Sequence, residues 1–252
     1  MVANKWHAYS DLAWTEPIIA PPEDYVKETE LFIKIIKDQS KTEVETLLHL
    51  GCGAGGNDYT FKKAFKVTGV DISEHMLSIA RQLNPDVAYR HGDMRTIELR
   101  TYFDAVAIPD SIGYMTTIKD LRSALVTSYW HLKPNGTLLI VAYIAEHFHE
   151  NNFIYTGCKE NVEITVFENN HIPDPTQNIY EATIIYLIRK YGKLEIYPDC
   201  HQIGIFSLDT WLNLLKKAGF VNINQINLDH AYDRYLFGEG KYPLLILTCN
   251  RS

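Results

Sequence analysis

Apolar and polar residues alternate with two different periods along the first part of the chain. Short apolar runs of strand length are separated by longer stretches in which apolar residues recur at helical spacing. The pattern predicts strands at 46–50, 66–71, 87–91, 103–107 and 136–144, and helices at 23–39, 55–64, 74–82 and 118–131. This alternation of strand and helix is typical of an α/β fold with a parallel, doubly wound sheet and right-handed crossovers.

The pattern changes after the fifth predicted strand. Residues 150–205 contain several β-branched and aromatic runs with no helical stretch between them, which predicts an antiparallel β insertion. Ser207 as a capping residue and Gly219 as a closing glycine predict one more helix. Strands predicted near 221–228 and 242–249 complete the sheet.

A glycine-rich turn follows the first predicted strand. Gly51, Gly53 and Gly55 let the backbone turn sharply and approach a ligand, because no Cβ stands in the way. Asp71 ends the second predicted strand, where its carboxylate can accept hydrogen bonds from both hydroxyls of a ribose. These residues predict a nucleoside-binding crevice. Gly51, Gly53 and Gly56 also satisfy the glycine spacing of a dinucleotide site, so an NAD-dependent dehydrogenase is an alternative.

The third predicted strand ends in Gly-Asp-Met, residues 92–94. Asp93 is expected at the rim of the same crevice, where it can accept a hydrogen bond from an adenine amino group. The family resemblance that this motif helps to carry favours an S-adenosyl cofactor over a dinucleotide. The alternative role for Asp93 is to cap the turn that follows. A dehydrogenase also needs a second catalytic domain, and residues 150–205 are too few and too rich in strands to form one.

Four segments in this order resemble the class I S-adenosylmethionine-dependent methyltransferases: residues 51–55, 70–77, 92–94 and 132–141. The resemblance implies a Rossmann-like, seven-stranded sheet whose last strand inserts antiparallel, with S-adenosylmethionine as cofactor. It implies that Ile72 and Met76 flank the adenine, although Met76 is equally well explained as helix core, and that the Ile108 region lends a carbonyl. The implied cofactor-binding residues are His49, Gly51, Cys52, Gly53, Gly55, Asp71, Ile72, Met76, Asp93, Met94 and Ile108.

Shorter motifs resemble the N,N-dimethyltransferases that act on nucleotide-linked amino sugars. They lie at residues 90–95, 110–114, 201–206 and 234–237. The resemblance implies a small polar acceptor, methylated on nitrogen. Residues 1–22 are similar to the N-terminal lid of small-molecule methyltransferases, and they carry both aromatic residues and prolines.

Two positions depart from the families that the chain resembles. The amino-sugar enzymes tend to have a histidine after Ser-Ile-Gly, where this chain has Tyr114. The candidate catalytic residues near the acceptor are therefore Tyr9, Tyr114 and His201; packing of the insertion and anchoring of the N-terminus are the alternative roles. Many relatives have an acid at the position of His49, beneath the methionine ammonium of the cofactor. His49 is either a cofactor contact or a core histidine with its hydrogen bonds satisfied.

Composition limits the possible partners and compartments. The 252 residues carry a net charge of −7, which disfavours nucleic-acid acceptors. The four cysteines are far apart, so neither a metal site nor a disulfide framework is predicted, and a reducing cytoplasm is expected. No signal peptide and no apolar run of about 18 residues is present, so no membrane association is expected.

We expect a single methyltransferase domain over residues 1–252, with 1–22 as its lid and 150–205 as its insertion. The insertion is expected either to wall the acceptor site or to form a homodimer interface, because its strands carry an apolar face. The expected activity is methylation of an amino sugar or related amine. The alternatives are O- or C-methylation of another small metabolite, and a protein that binds S-adenosylmethionine without catalysis.

Overall fold

The computed structural model describes residues 6–228, 232–238 and 242–252, so residues 1–5 of the predicted lid lie outside the described residues. The strands are β1 Thr46–Leu50, β2 Lys66–Asp71, β3 Ala88–His91, β4 Phe103–Ile108, β5 Leu132–Ala142, β6 Asn151–Lys159, β7 Val162–His171, β8 Ile179–Lys190, β9 Lys193–Gly204, β10 Phe220–Leu228 and β11 Leu244–Arg251. The α-helices are α1 Glu16–Ile19, α2 Val26–Gln39, α3 Asp58–Phe61, α4 Glu74–Leu83, α5 Ile118–His131 and α6 Leu208–Ala218.

Seven strands form one sheet in the order β10-β11-β5-β4-β1-β2-β3. Strands β5, β4, β1, β2 and β3 pair in parallel, whereas β11 pairs antiparallel with both β5 and β10. The predicted seven-stranded, doubly wound fold with an antiparallel last strand is confirmed. The carboxyl ends of the parallel strands meet at one edge, and such an edge is where α/β sheets bind ligands.

Helices cover both faces of this sheet. Leu48 and its neighbours pack with α5 and α6 residues such as Leu121 and Trp211. Leu47, one position earlier, belongs to a second buried cluster with Phe32 of α2 and Phe61 of α3. Successive side chains of a strand point to opposite faces, so the apolar run of β1 supplies both cores.

The predicted helix at 55–64 is wrong in its bounds, since α3 covers only Asp58–Phe61. Gly55 has a φ of +80°, which does not fit a helix, and turns follow Phe61. The predicted helix at 23–39 begins as a 3-10 turn at Pro22–Tyr25 before α2. Strand β5 starts earlier than the predicted 136, because Leu132 pairs with Phe103 ahead of an irregularity in the register.

The predicted insertion forms a separate antiparallel sheet in the order β6-β7-β8-β9. Leu12 of the N-terminal segment packs against its Ile164, Val166 and Tyr186. Its other end packs against the residues that follow β4, because Ile203 and Tyr114 share one apolar cluster. The insertion therefore stands over the carboxyl edge of the main sheet, while the homodimer interface stays a prediction.

Among the described residues, no helix combines the length and the apolar character that crossing a membrane requires.

Candidate functional site

The turn after β1 has the left-handed backbone that favours glycine. Gly51, Gly53 and Gly55 have φ values of +71°, +52° and +80°. The N–H groups of Gly51 and Cys52 both donate to the carbonyl of Val70, at 2.7 and 3.0 Å, so the turn is attached to the end of β2. The backbone of the turn is thereby held beside the end of the neighbouring strand.

Asp71 links this turn to the start of α4. Its carboxylate accepts hydrogen bonds from the N–H groups of Gly53 and Ser73, both at 2.8 Å. Burial raises the pKa of Asp71 above its ordinary value, and these two N–H groups partly oppose the increase. A Cβ built on Gly53 meets no atom within 4 Å, so open space borders the turn beside the carboxylate. The turn and the strand-end acid fit an adenosine cofactor.

Gly51 and Gly53 should respond differently to alanine. A Cβ on Gly51 collides with the side chain of Ser111, so Gly51→Ala should lower the free energy of unfolding by about 3 kcal/mol. Gly53→Ala meets only backbone strain and should lower it by about 1–2 kcal/mol. Its methyl group enters the open space, so S-adenosylhomocysteine should bind at least about tenfold more weakly. Urea unfolding and calorimetry measure both effects, and equal stability losses in the two variants would contradict this account.

The other predicted cofactor residues differ in how accessible they are. Ile72 is 58% exposed beside Asp71, whereas Met76 is 2% exposed and packs against Ala13 and Ala54. The carboxylate of Asp93 accepts hydrogen bonds from the Arg95 guanidinium. Cys52, Met94 and Ile108 are buried. The roles of these side chains toward the cofactor stay predictions.

His49 is 2% exposed and has a buried partner that sequence reasoning missed. Its Nδ1 lies 2.7 Å from Oδ1 of Asp58, and the Tyr89 hydroxyl donates to the other oxygen of Asp58 at 3.0 Å. This partner matches the alternative of a core histidine with its hydrogen bonds satisfied. No signal in the sequence marks Asp58, because the packing of α3 brings it to β1.

The three candidate catalytic residues form one continuous hydrogen-bonded chain. Tyr9 Oη lies 2.6 Å from Tyr114 Oη, and Tyr114 Oη lies 2.8 Å from His201 Nδ1. His201 Nε2 lies 3.0 Å from an oxygen of Asp199, which also accepts from the backbone N–H of Ala8. We call the four side chains Tyr9, Tyr114, His201 and Asp199 the relay. Asp199 lies two positions before His201 on one strand, and this spacing is a signal that sequence reasoning overlooked.

The donor and the acceptor in each hydrogen bond of the relay follow from the charge state of Asp199. Although burial opposes it, the hydrogen bond from His201 lowers the pKa of Asp199, so the carboxylate is ionised and accepts from Nε2–H. In a neutral ring Nδ1 is then the acceptor, and Tyr114 donates to it. Tyr114 in turn accepts from the hydroxyl of Tyr9. Burial raises the pKa values of both tyrosines well above the ordinary value, so both hydroxyls keep their protons near neutral pH.

The N-terminal segment joins the relay to the cofactor crevice. The hydroxyl of Ser73 donates to the carbonyl of Tyr9 at 2.5 Å, and Ser73 is also the residue whose N–H binds Asp71. The ring of Trp6 packs on the relay, with its centroid 4.9 Å from Tyr114 and 5.5 Å from His201. The backbone of Tyr9 is therefore attached to the residues that border the predicted cofactor site, and its ring packs with Ala54 of the glycine turn and Met76 of α4.

A methyltransferase domain model matches residues 47–136, the part of the chain that holds the glycine turn, Asp71 and Asp93. The chain is 34% identical over 119 residues to dTDP-3-amino-3,4,6-trideoxy-α-D-glucopyranose N,N-dimethyltransferase of Streptomyces venezuelae. That alignment covers 46% of the chain and 50% of the relative, so the chain matches half the length of that enzyme.

Other matches extend beyond this region. The chain is 27% identical over 202 residues to dTDP-3-amino-3,6-dideoxy-α-D-glucopyranose N,N-dimethyltransferase of Streptomyces fradiae, covering 78% of the chain and 77% of that enzyme. The solved structure of S-adenosylmethionine-bound CalS10, an amino pentose methyltransferase from Micromonospora echinaspora, superimposes with a TM-score of 0.73 at 19% identity, over 90% of the chain and 92% of CalS10. The sequence matches therefore show a methyltransferase domain over residues 47–136, for which S-adenosylmethionine is the cofactor, and the superposition on CalS10 shows that the rest of the chain shares the same fold.

Proposed function

We propose that this enzyme methylates the nitrogen of a small amine, and that the acceptor is an amino sugar or a related amine. The observation that carries the proposal is the relay, which ends at Tyr9, a residue whose backbone binds Ser73 and whose ring packs with Ala54 of the glycine turn. The names of the two curated relatives, both N,N-dimethyltransferases of amino sugars, support the same class of acceptor.

Methylation of an amine requires a protein group that accepts one proton, and that group need not be a strong base. S-adenosylmethionine, when bound, supplies a methyl group that is attached to a positively charged sulfur. When the methyl group is transferred, the sulfur is released as a neutral thioether. The amine attacks only as the free base, because an ammonium ion has no lone pair. The protein must therefore remove one proton, hold the nitrogen in line and exclude water.

The relay can take that proton over three hydrogen bonds. In one concerted transfer the ammonium proton moves to Tyr9 Oη, the proton of Tyr9 moves to Tyr114, and the proton of Tyr114 moves to Nδ1 of His201, which leaves the amine as its free base. Both phenols are neutral before and after the transfer, so their raised pKa values do not oppose it. The imidazolium that forms is paired with the carboxylate of Asp199, which is 3.0 Å from Nε2. This pairing stabilises a charge that is otherwise costly in a buried site.

The relay favours nitrogen over the other acceptor atoms. A hydroxyl or carbon acid is a far weaker acid than an ammonium ion, and a neutral imidazole is a poor base for either. A protein that only binds the cofactor has no use for an ordered chain of four side chains that ends at the crevice.

The test is methyl transfer from labelled S-adenosylmethionine to a panel of amino sugars. The panel contains dTDP-3-amino-3,6-dideoxy-α-D-glucopyranose, free 3-amino-3-deoxy-D-glucose and other amines, each with its N-acetylated counterpart as matched control. We expect transfer to at least one free amine and none to its acetylated form. Transfer to hydroxyl or carbon acceptors alone would end the proposal and leave the family assignment intact.

A further inference from the structure

The turn that follows β3 is attached to the residues that border the predicted cofactor site. The N–H group of Gly92 donates to the carbonyl of Asp71 at 2.9 Å. A Cβ built on Gly51 comes within 3.0 Å of the methyl carbon of Met94, so the Met94 side chain lies against the glycine turn. Asp93, between Gly92 and Met94, is therefore held at the same edge of the sheet as the strand-end acid.

Arg95 holds the carboxylate of Asp93 through several hydrogen bonds. The Nε–H group of Arg95 is shared between Oδ1 and Oδ2, at 3.0 Å from each, and a terminal guanidinium nitrogen donates to Oδ2. The backbone N–H of Arg95 donates to Oδ1 at 2.8 Å and caps the turn, which was the alternative role for Asp93. A guanidinium that binds both oxygens fixes the orientation of a carboxylate as well as attracting it.

The carboxylate of Asp93 keeps room for one more donor. An ionised carboxylate has about four acceptor positions, and three N–H groups of Arg95 occupy three of them. The side chain of Asp93 is 23% exposed, so a ligand can reach the position that is left. Although burial opposes it, the hydrogen bonds from Arg95 lower the pKa of Asp93, so the carboxylate is ionised near neutral pH.

Arg95 is itself fixed on the side away from Asp93. Its other terminal nitrogen donates to Oδ1 of Asp120, in the first turn of α5, at 3.0 Å. The Thr117 hydroxyl donates to the second oxygen of Asp120 at 2.7 Å, and the Thr127 hydroxyl donates to the backbone carbonyl of Arg95 at 2.9 Å. The guanidinium is thus anchored to a helix, and through it the orientation of the Asp93 carboxylate is anchored too.

We infer that Arg95 is a positioning residue that aims Asp93 at the adenine amino group of the cofactor, so that the two residues together select adenine among purine bases. The inference extends the predicted contact of Asp93 and goes beyond the proposed function, because it concerns the cofactor and holds for any acceptor. Arg95 acts through Asp93 and has no contact of its own with the base. Without the guanidinium, a partly exposed carboxylate turns into water, and ordering it again on binding costs free energy.

The inference is tested by calorimetry with S-adenosylhomocysteine and with its purine analogue, which lacks only the 6-amino group. We expect the wild type to bind S-adenosylhomocysteine at least about tenfold more tightly than the purine analogue. Arg95→Met removes the donors and keeps an unbranched side chain. It should reduce this preference to less than about threefold and leave the affinity for the purine analogue within about threefold of the wild type. A turn that is merely loosened would weaken both ligands equally and keep the preference.

Asp93→Ala shows whether Arg95 acts through Asp93. It should also reduce the preference to less than about threefold, and adding Arg95→Met to it should change the preference by no more than about twofold. Arg95→Lys keeps the charge without the fork, so its preference should lie between those of the wild type and Arg95→Met; it replaces Arg95→Met if that variant does not fold. Arg81→Met is the matched control, since it removes an arginine of similar exposure that pairs with Glu74, and it should bind both ligands as the wild type does.

The outcomes do not depend on the methyl acceptor, because neither ligand carries a methyl group to transfer. If Arg95→Met keeps the preference of the wild type, or increases it because the guanidinium no longer competes for the carboxylate, the positioning role is overturned. Equal binding of the two ligands by the wild type also overturns the inference, and Asp93 then only caps the turn. Failure of the amine panel would end the proposed function without changing either result.

Discussion

His201→Asn should lower kcat about 100-fold while the dissociation constant of S-adenosylhomocysteine stays within about twofold. His201 is the terminal base in the proposed proton transfer, and general-base catalysis contributes roughly 100-fold to 10,000-fold in rate. Asparagine can keep an acceptor for the Tyr114 hydroxyl but cannot take up a proton, and the Asp199 carboxylate keeps the backbone N–H groups of Ala8 and Cys200 as donors. His201 lies on β9 of the insertion and not in the glycine turn or at Asp71, the expected cofactor contacts, which is why affinity and turnover should separate. Methylation assays measure kcat, and calorimetry measures the dissociation constant of S-adenosylhomocysteine.

Tyr114→Phe breaks the same relay at a different residue. It removes the hydroxyl that lies 2.6 Å from Tyr9 and 2.8 Å from His201, while its ring can keep its packing on Trp6. Because the relay acts as a unit, Tyr114→Phe combined with His201→Asn should be no slower than the slower single variant, apart from about a twofold margin. Multiplicative losses in the double variant, or a parallel loss of S-adenosylhomocysteine binding, would indicate that these side chains support structure and not proton transfer.

Sequence patterns predicted the parts of the site that depend on local geometry. The glycine turn and Asp71 lie next to one another because β1 and β2 are adjacent parallel strands, and hydrophobic periodicity alone identifies both strands. The same argument predicted the insertion, since long β-branched runs without a helical period indicate strands wherever they pack. The predicted bounds of α3 were wrong because the spacing of apolar residues does not reveal the backbone conformation of Gly55. Its positive φ delays the start of the helix.

Contacts between distant parts of the chain could not be predicted in the same way. Tyr9 and Tyr114 are 105 residues apart, and Tyr114 and His201 are 87 apart, so only the docking of the N-terminal segment and the insertion brings them together. The sequence indicates each of the three residues separately, through resemblance, and contains no signal that they form one hydrogen-bonded chain.

Asp71→Ala should weaken binding of S-adenosylhomocysteine by more than about tenfold, or at least about 1.4 kcal/mol. Two effects contribute to this loss. The substitution removes the carboxylate that we propose accepts the ribose hydroxyls, and a hydrogen bond to a charged acceptor contributes more than one between neutral groups. It also leaves the N–H groups of Gly53 and Ser73 without their acceptor, which loosens the turn.

A 2′-deoxy analogue of S-adenosylhomocysteine separates these two effects. The wild type should bind the analogue at least about fivefold more weakly than S-adenosylhomocysteine, because one hydroxyl donor to Asp71 is missing. Asp71→Ala should bind the two ligands equally, since it has lost the acceptor and retains only the effect of the loosened turn. Glu74→Gln, three residues farther along on an exposed surface where Glu74 pairs with Arg81, is the matched control and should behave as the wild type. If Asp71→Ala still discriminates between the two ligands as the wild type does, the ribose contact belongs to another residue, and the only effect of Asp71 is to order the glycine turn.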